Sequence, residues 1–177
     1  QLTLTAHRIV SRIDQADVVV LARPTPHSDQ AADLLAAGRH VISTTGAVDD
    51  VRQLLDLDQL AEGAGATLVV GAATSPGLSG LLARLLVGRL AACDELHVAV
   101  HGTAGPACAR EHHGSLSRRA AGWHDGQWVT YAGGSGRELV WFPEPVGGRD
   151  CYRAEMADPI LLQRAFPDVD RISARTA

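Results

Sequence analysis

Three short apolar runs set the rhythm of the first half of the chain: Val18-Val-Val-Leu-Ala22, Arg39-His-Val-Ile-Ser43 and Thr67-Leu-Val-Val-Gly71. Each is followed by small or turn-forming residues, in Arg23-Pro-Thr-Pro-His27, Thr44-Thr-Gly46 and Ala72-Ala-Thr-Ser-Pro-Gly77. The first loop leads to a predicted helix over Gln30 to Ala37, with Ser28 or Asp29 placed to cap it and Gly38 to end it. The second leads to a predicted helix over Val48 to Glu62, with Val51, Leu54, Leu55 and Leu57 or Leu60 on its buried stripe and Gly63 and Gly65 behind it. The third leads to a segment from about Leu78 to Leu90 whose leucines at 78, 81, 82, 85 and 86 recur at helical spacing. Alternating strands and helices of this kind predict a parallel sheet with crossover helices, and Val18 to Leu21, purely apolar, fits a strand buried on both faces. Open parallel sheets take ligands beyond the carboxyl ends of their strands, where these three loops fall.

The pattern changes from Asp94 onward. Glu95 to His101 alternates apolar and polar positions as a half-exposed strand does, and strand-like pieces follow at Gln127 to Tyr131, Arg137 to Phe142, Asp150 to Ala154 and Val169 to Ala174. Gly- and Pro-rich turns separate them. The reading is an α/β fold: a partial Rossmann-type parallel sheet over residues 1–92, then an α+β region with a mostly antiparallel sheet over 93–177. Gln1 to Thr5 alternates as a further short strand, and His7 to Asp14 forms a connecting turn or short helix.

Composition narrows the function classes. Of 177 residues, 46% are hydrophobic and 20% charged, as in a globular domain, and the net charge of -4 with scattered basic residues gives no support for nucleic-acid binding. All 16 basic residues are arginines, which closes Schiff-base and lysine acid–base mechanisms to this polypeptide. Three cysteines, Cys93, Cys108 and Cys151, show no CxxC spacing and point to a reducing compartment, the cytoplasm. No apolar run reaches the ~20 residues that cross a bilayer, so no membrane is expected as partner. The chain begins at Gln1 and ends at Ala177 just after a strand-like run, which reads as part of something longer.

The expected dinucleotide fingerprint, G-x-G-x-x-G, does not precede Val18, and Gly133-Gly-Ser-Gly136 lacks a following helix and reads as a hairpin turn. The loop from Ala22 to His27 offers a guanidinium, a hydroxyl and an imidazole, and Thr44-Thr45-Gly46 offers hydroxyls; each equally suits a ligand or an ordinary turn. In Gly71 to Gly77, Pro76 favours an extended Ser75, Gly77 permits close backbone approach, and the following helix would aim free N–H groups at a bound anion or carbonyl. His97 and His101 share a strand face ~13 Å apart, too far for one metal, and Cys108 with His112 or His113 finds no further pair, so no metal is expected. Glu111-His112-His113 can supply acid–base chemistry. Trp123, Trp128, Trp141 and Phe142 are expected to pack the second sheet, with Arg137 flanking them as a carboxylate clamp.

Ala16-Asp-Val-Val-Val-Leu-Ala22, Ala36-Ala-Gly-Arg-His-Val-Ile-Ser-Thr-Thr-Gly46 and Ser75-Pro-Gly-Leu-Ser79 together resemble the saccharopine dehydrogenase-like family of NAD(P)-binding oxidoreductases. Trp123-His-Asp-Gly-Gln-Trp128 and Trp141-Phe-Pro-Glu-Pro-Val-Gly147 resemble that group's second domain, which implies that 93–177 is a substrate and dimerisation domain. The resemblance implies NAD or NADP as cofactor, contacted by Ala22, Arg23, Pro24, Thr25, Thr44, Thr45, Gly46, Ala72 and Thr74. It implies a small-molecule substrate, amino-acid-like and carrying an imine, amine or carbonyl, near Ser75, Pro76, Gly77 and Arg137, and a homodimer. His101 and His113 are the expected proton carriers. Two alternatives stand beside it: a non-catalytic Rossmann-like module that binds a ligand or partner, and an enzyme similar to dihydrodipicolinate reductases, whose lysine and Ser-Gly-Thr motif are absent here.

Overall fold

A computed structural model describes residues 16–102 and 105–177. The strand expected at Gln1 to Thr5 and the turn expected at His7 to Asp14 lie outside the described residues. Strands β1 (Val18–Leu21), β2 (His40–Ser43) and β3 (Leu68–Val69) form a parallel sheet in the order β1-β2-β3. Between them run α1 (Ser28–Ala36), then α2 (Val48–Leu55) and α3 (Asp58–Gly63). One helix was expected over Val48 to Glu62; the chain instead breaks at Asp56 and Leu57, where Asp56 N–H bonds Arg52 C=O and Leu57 N–H bonds Leu54 C=O. The break lets Leu54 and Ala61 enter the same core as Val19, Leu21, Leu34, Leu35 and Val41.

The outer residues of this sheet correct an expectation. Val18 and Val20 are 49% and 56% exposed, while Val19 and Leu21 are buried, so β1 is covered on one face only by the described residues. The topology explains it: parallel crossovers are right-handed, and two steps in the same direction place their helices on the same side of the sheet.

From β3 the chain passes through residues 70–77 into α4 (Leu78–Val87) and on to β4 (Glu95–Val100). The second sheet then builds from β5 (Arg119–His124), β6 (Gln127–Ala132), β7 (Glu138–Phe142), β8 (Gly147–Arg153) and β9 (Arg171–Thr176), with α5 (Pro106–Ser115) before β5 and α6 (Asp158–Ala165) before β9. Its path is β6-β5-β9-β8-β7 with antiparallel neighbours, and β4 joins the other side of β9 in parallel. Ile172 is fully buried at its centre, packed with Leu96, Leu162 and Ala83 from β4, α6 and α4. A third cluster joins the two halves, with Val48 and Val51 of α2 against Ala157 and Ile160 at the start of α6. Of the aromatics expected in the sheet's packing, Trp123 is partly buried against the core and meets Trp128 edge-on at 5.3 Å, whereas Trp141 is 75% exposed.

Candidate active site

The three loops at the carboxyl ends of β1, β2 and β3 are fixed by buried polar groups from neighbouring elements. His27, 1% exposed, holds the first to the second: its Nε2 lies 2.8 Å from Arg23 C=O and its Nδ1 2.8 Å from Ser43 Oγ. A carbonyl only accepts, so Nε2 carries a proton and donates to Arg23 C=O, while Nδ1 shares a hydrogen bond with the Ser43 hydroxyl. The N–H groups of His27 and Ser28 at the start of α1 are capped by neither Ser28 nor Asp29. They donate to the buried carboxylate of Asp50, at 2.9 to 3.0 Å, from α2. The capping group thus comes from more than twenty residues away, which joins α1 to α2. In the second loop the Thr44 hydroxyl donates to Leu21 C=O at 3.1 Å, and the Thr45 hydroxyl accepts from Ala47 N–H at 3.3 Å.

The third loop closes on itself. Ala73 N–H donates to Pro76 C=O, Leu78 N–H to Ala73 C=O and Ser79 N–H to Thr74 C=O, at 2.9 to 3.1 Å. The free N–H groups expected at the head of α4 are therefore spent within the loop rather than held for a ligand. Gly77 sits at φ +137°, and a Cβ there would collide with the carbonyl oxygen of Ala73. Ser75 Oγ and Ser79 Oγ donate at 2.7 and 2.5 Å to the two oxygens of Asp158, a buried carboxylate at the first position of α6. This bridge ties the loop to the second half of the chain.

Between the loops and α5 lies a cleft of about 550 Å³. One wall is made by Ala22, Arg23, Pro24, Thr25, Thr44, Thr45, Gly46, Ser75 and Pro76, all singled out from the sequence. The other wall comes from Cys108, Glu111, His112 and Ser115 of α5, with Glu155 to Asp158 and Thr176. Positions 108, 111, 112 and 115 form one helical stripe, so a single face of α5 looks across at the strand ends. The remaining sequence candidates lie elsewhere. Ala72 lies outside the lining, Thr74 lines a separate apolar groove, and Gly77 faces away beneath α4. His101 lies in the apolar groove against Phe142, ring centres 5.7 Å apart, His113 is exposed on α5, and Arg137 pairs with Asp150 at 2.9 Å.

His112 is the imidazole that enters the cleft. The Thr176 hydroxyl lies 3.4 Å from Val100 C=O, to which it donates, and 3.2 Å from His112 Nδ1. In the tautomer protonated at Nδ1, Thr176 Oγ1 accepts from Nδ1–H and the Nε2 lone pair has no partner among the described residues. A neutral imidazole in that tautomer can take a proton at Nε2. Beneath it Arg118 bonds both Glu111 and Glu155. Burial works against the Arg118 charge, but the Glu155 hydrogen bond and the two carboxylates raise its pKa all the same. Cys108 precedes His112 by one turn on the same face. Among the described residues no three His, Cys, Asp or Glu side chains group to hold a metal ion.

The fold has a counterpart among solved structures. The apo L-glutamate-forming saccharopine dehydrogenase of Saccharomyces cerevisiae superposes on 93% of this chain with a TM-score of 0.63 at 18% identity. The fold is saccharopine dehydrogenase-like. The chain spans 40% of that enzyme's length. GenD2 from gentamicin A biosynthesis, solved with NAD, aligns over 96% of this chain and 52% of its own at 16% identity and a TM-score of 0.40. No protein-family model matches the chain, and no curated protein is similar to it in sequence.

Proposed function

We propose that the cleft between the strand-end loops and α5 is the nicotinamide and substrate site of an NAD(P)-dependent oxidoreductase acting on an imine, amine or carbonyl of a small, amino-acid-like substrate. The observation that carries this reading is the convergence of three parallel-strand ends on a ~550 Å³ cleft opposite an imidazole whose Nε2 has no partner among the described residues. The saccharopine dehydrogenase-like fold supports it.

The residues fit one half of such a cofactor. Rigid small-residue loops at Ala22 to Thr25 and Thr44 to Gly46 suit a flat ring and its amide. Among the described residues its diphosphate finds no grip: the N–H groups heading α1 bind Asp50, those heading α4 are spent in their own loop, and α2 opens with Asp49 and Asp50. When bound, the nicotinamide supplies or accepts the hydride. His112 then exchanges the proton that balances hydride transfer at the substrate nitrogen or oxygen, with Thr176 fixing its tautomer. Glu111 and Glu155, held in place by Arg118, set a negative edge toward an ammonium or iminium, while Arg23 stands on the opposite wall. The chemistry rests on orientation of the two reactants more than on a strong acid or base.

Titration of the protein with NADH and NADPH, followed by nicotinamide fluorescence, tests the reading. Saturable enhancement with at least one of them is expected, with turnover on a panel of amino acids and amines. His112→Gln should keep cofactor binding and lower turnover by about 10²- to 10⁴-fold. Absence of saturable binding to either nucleotide would overturn the enzyme reading. Binding without turnover on any substrate favours the ligand-binding module.

A further inference from the structure

Helix α5 makes one wall of the cleft without a hydrophobic hold on the protein. Its ten residues, Pro106-Ala-Cys-Ala-Arg-Glu-His-His-Gly-Ser115, include no leucine, isoleucine, valine, methionine, phenylalanine, tyrosine or tryptophan. Only Ser115, at the last position, is buried, and α5 contributes to none of the hydrophobic clusters formed by the described residues. A helix this short is marginal in water by itself, so polar contacts must hold it where it stands.

Among the described residues those contacts all fall in its carboxyl-terminal half. Glu155 N–H donates to Ser115 C=O at 3.0 Å, and His112 Nδ1 lies 3.2 Å from Thr176 Oγ1. Arg118, just past the helix, donates from Nη2 to Glu111 and from Nε to Glu155, which follows β8. The Arg118 backbone is itself seated. A Cβ at Gly133 would collide with the carbonyl oxygens of Arg118 and Leu116, so the glycine-rich turn after β6 packs directly on this stretch. The same turn is fixed to β8, with Gly134 N–H donating to Arg153 C=O and Arg153 N–H to Ser135 C=O at 2.8 and 2.9 Å.

We propose that Arg118 is a positioning residue for the cleft: its guanidinium holds Glu111 of α5 and Glu155 beyond β8 at once, and so sets where the inward face of α5, with His112, stands opposite the strand-end loops. Its effect on turnover rests on the reading of this cleft as the site of hydride and proton transfer; its hold on α5 does not. An exposed ion pair taken singly adds little. Here the Arg118 and Glu155 side chains are 39% and 23% exposed, one planar fork serves two carboxylates on separate elements, and α5 has no large apolar side chain to take over the task. A lysine ammonium is a single point charge on a flexible stem and cannot reproduce the fork. Arg118 does not line the cleft, so it acts through His112 and Glu111 rather than on a reactant. Displacing a reacting group by about 1 Å costs on the order of 100-fold in rate.

Hydrogen exchange read by mass spectrometry over 105–118, with the unfolding midpoint in parallel, tests the hold without any ligand. Arg118→Gln should speed exchange in α5 at least about tenfold while the second sheet keeps its protection. Arg118→Lys should leave α5 nearly as fast, and Arg110→Gln, which removes an equal charge at an exposed position of the same helix, should change nothing. Glu155→Gln cuts the same tie from the other side, and its effect should not add to that of Arg118→Gln. In turnover, Arg118→Gln should lower kcat about 10- to 100-fold with the Kd for NADH or NADPH within about twofold. Unchanged α5 exchange in Arg118→Gln and Glu155→Gln, full protection in Arg118→Lys, or a kcat loss matched by loss of cofactor binding overturns the proposal. A wild type that binds no nucleotide overturns the functional reading instead, and the exchange result then decides the hold of Arg118 on α5.

Discussion

Asp158 is the residue through which the third strand-end loop is held to the rest of the molecule, and replacing it measures that hold. Its carboxylate is 2% exposed and accepts from Ser75 Oγ and Ser79 Oγ at 2.7 and 2.5 Å. Hydrogen bonds to a charged group contribute about 1.5–3 kcal/mol each, against ~1 kcal/mol for neutral ones. Asp158→Asn preserves the shape but leaves a single acceptor oxygen: one serine hydroxyl still donates to Oδ1, the other must turn and accept from Nδ2–H, and each resulting neutral bond is weaker by roughly 1 kcal/mol. Loss of the negative charge at the first turn of α6 adds about 0.3–1 kcal/mol, and relief from burying a carboxylate offsets part of the sum. The expected net loss is about 2 kcal/mol, or a drop in Tm of roughly 4–8 °C for a chain of this size. Asp158→Ala, which leaves both hydroxyls without their acceptor, should lose about 3 kcal/mol. Urea unfolding followed by circular dichroism gives these values. Because the three groups form one network, the triple variant with Ser75→Ala and Ser79→Ala should lose far less than the sum of its single changes. An Asp158→Asn loss under about 0.5 kcal/mol, or single changes that simply add, would refute the reasoning.

Four further outcomes follow from the same structure. Asp50→Ala removes the acceptor for the N–H groups of both His27 and Ser28 and should cost about 2–3 kcal/mol in urea unfolding, with Asp50→Asn costing less. Gly77→Ala meets both a φ of +137° and the Ala73 carbonyl, so a loss above about 3 kcal/mol or failure to accumulate soluble protein is expected. Toward a disulfide reagent Cys108, exposed, should react fast and Cys151, fully buried, only on unfolding. Burial pushes the Cys151 thiol above its usual 9.0, so its contribution to stability is complete below pH 9 and is lost as pH rises beyond it; Cys151→Ala should flatten that alkaline limb of an unfolding-midpoint series.

Particular elements show what pattern alone can carry. Val18 to Leu21, His40 to Ser43 and Thr67 to Val70 were legible as strands because each is a short apolar run closed by turn residues, and the structure places β1, β2 and β3 there. Arg119 to His124 was not: Ala, Ala and Gly have weak strand preference, and β5 exists because it pairs with β6 and β9. Asp158 to Ala165 gave a usable signal in its Asp-Pro start, but eight residues are too few for periodicity to stand out. The site divides the same way. The strand-end loops were readable from their position after apolar runs, whereas His112 was not separable from His113 until α5 fixed which of two adjacent side chains looks inward. The 108, 111, 112 and 115 stripe was available as a signal, but only once the segment is taken as a helix.

The sequence by itself determined the order of elements from β1 to β4, the parallel first sheet, the change of architecture after Asp94 and the loops that follow the first three strands, because these depend on local periodicity and turn chemistry. Tertiary structure decided what depends on groups distant in the chain. Asp50 caps a helix that begins at Ser28, Asp158 anchors Ser75 and Ser79, and Thr176 orients His112 from 64 positions away. A buried hydrogen bond is specified by three-dimensional proximity, and no spacing along the chain encodes it. The same holds for the outward leucines of α4: their period announces a helix, and only packing shows that the small side, Ala83 and Val87, is the side the core takes.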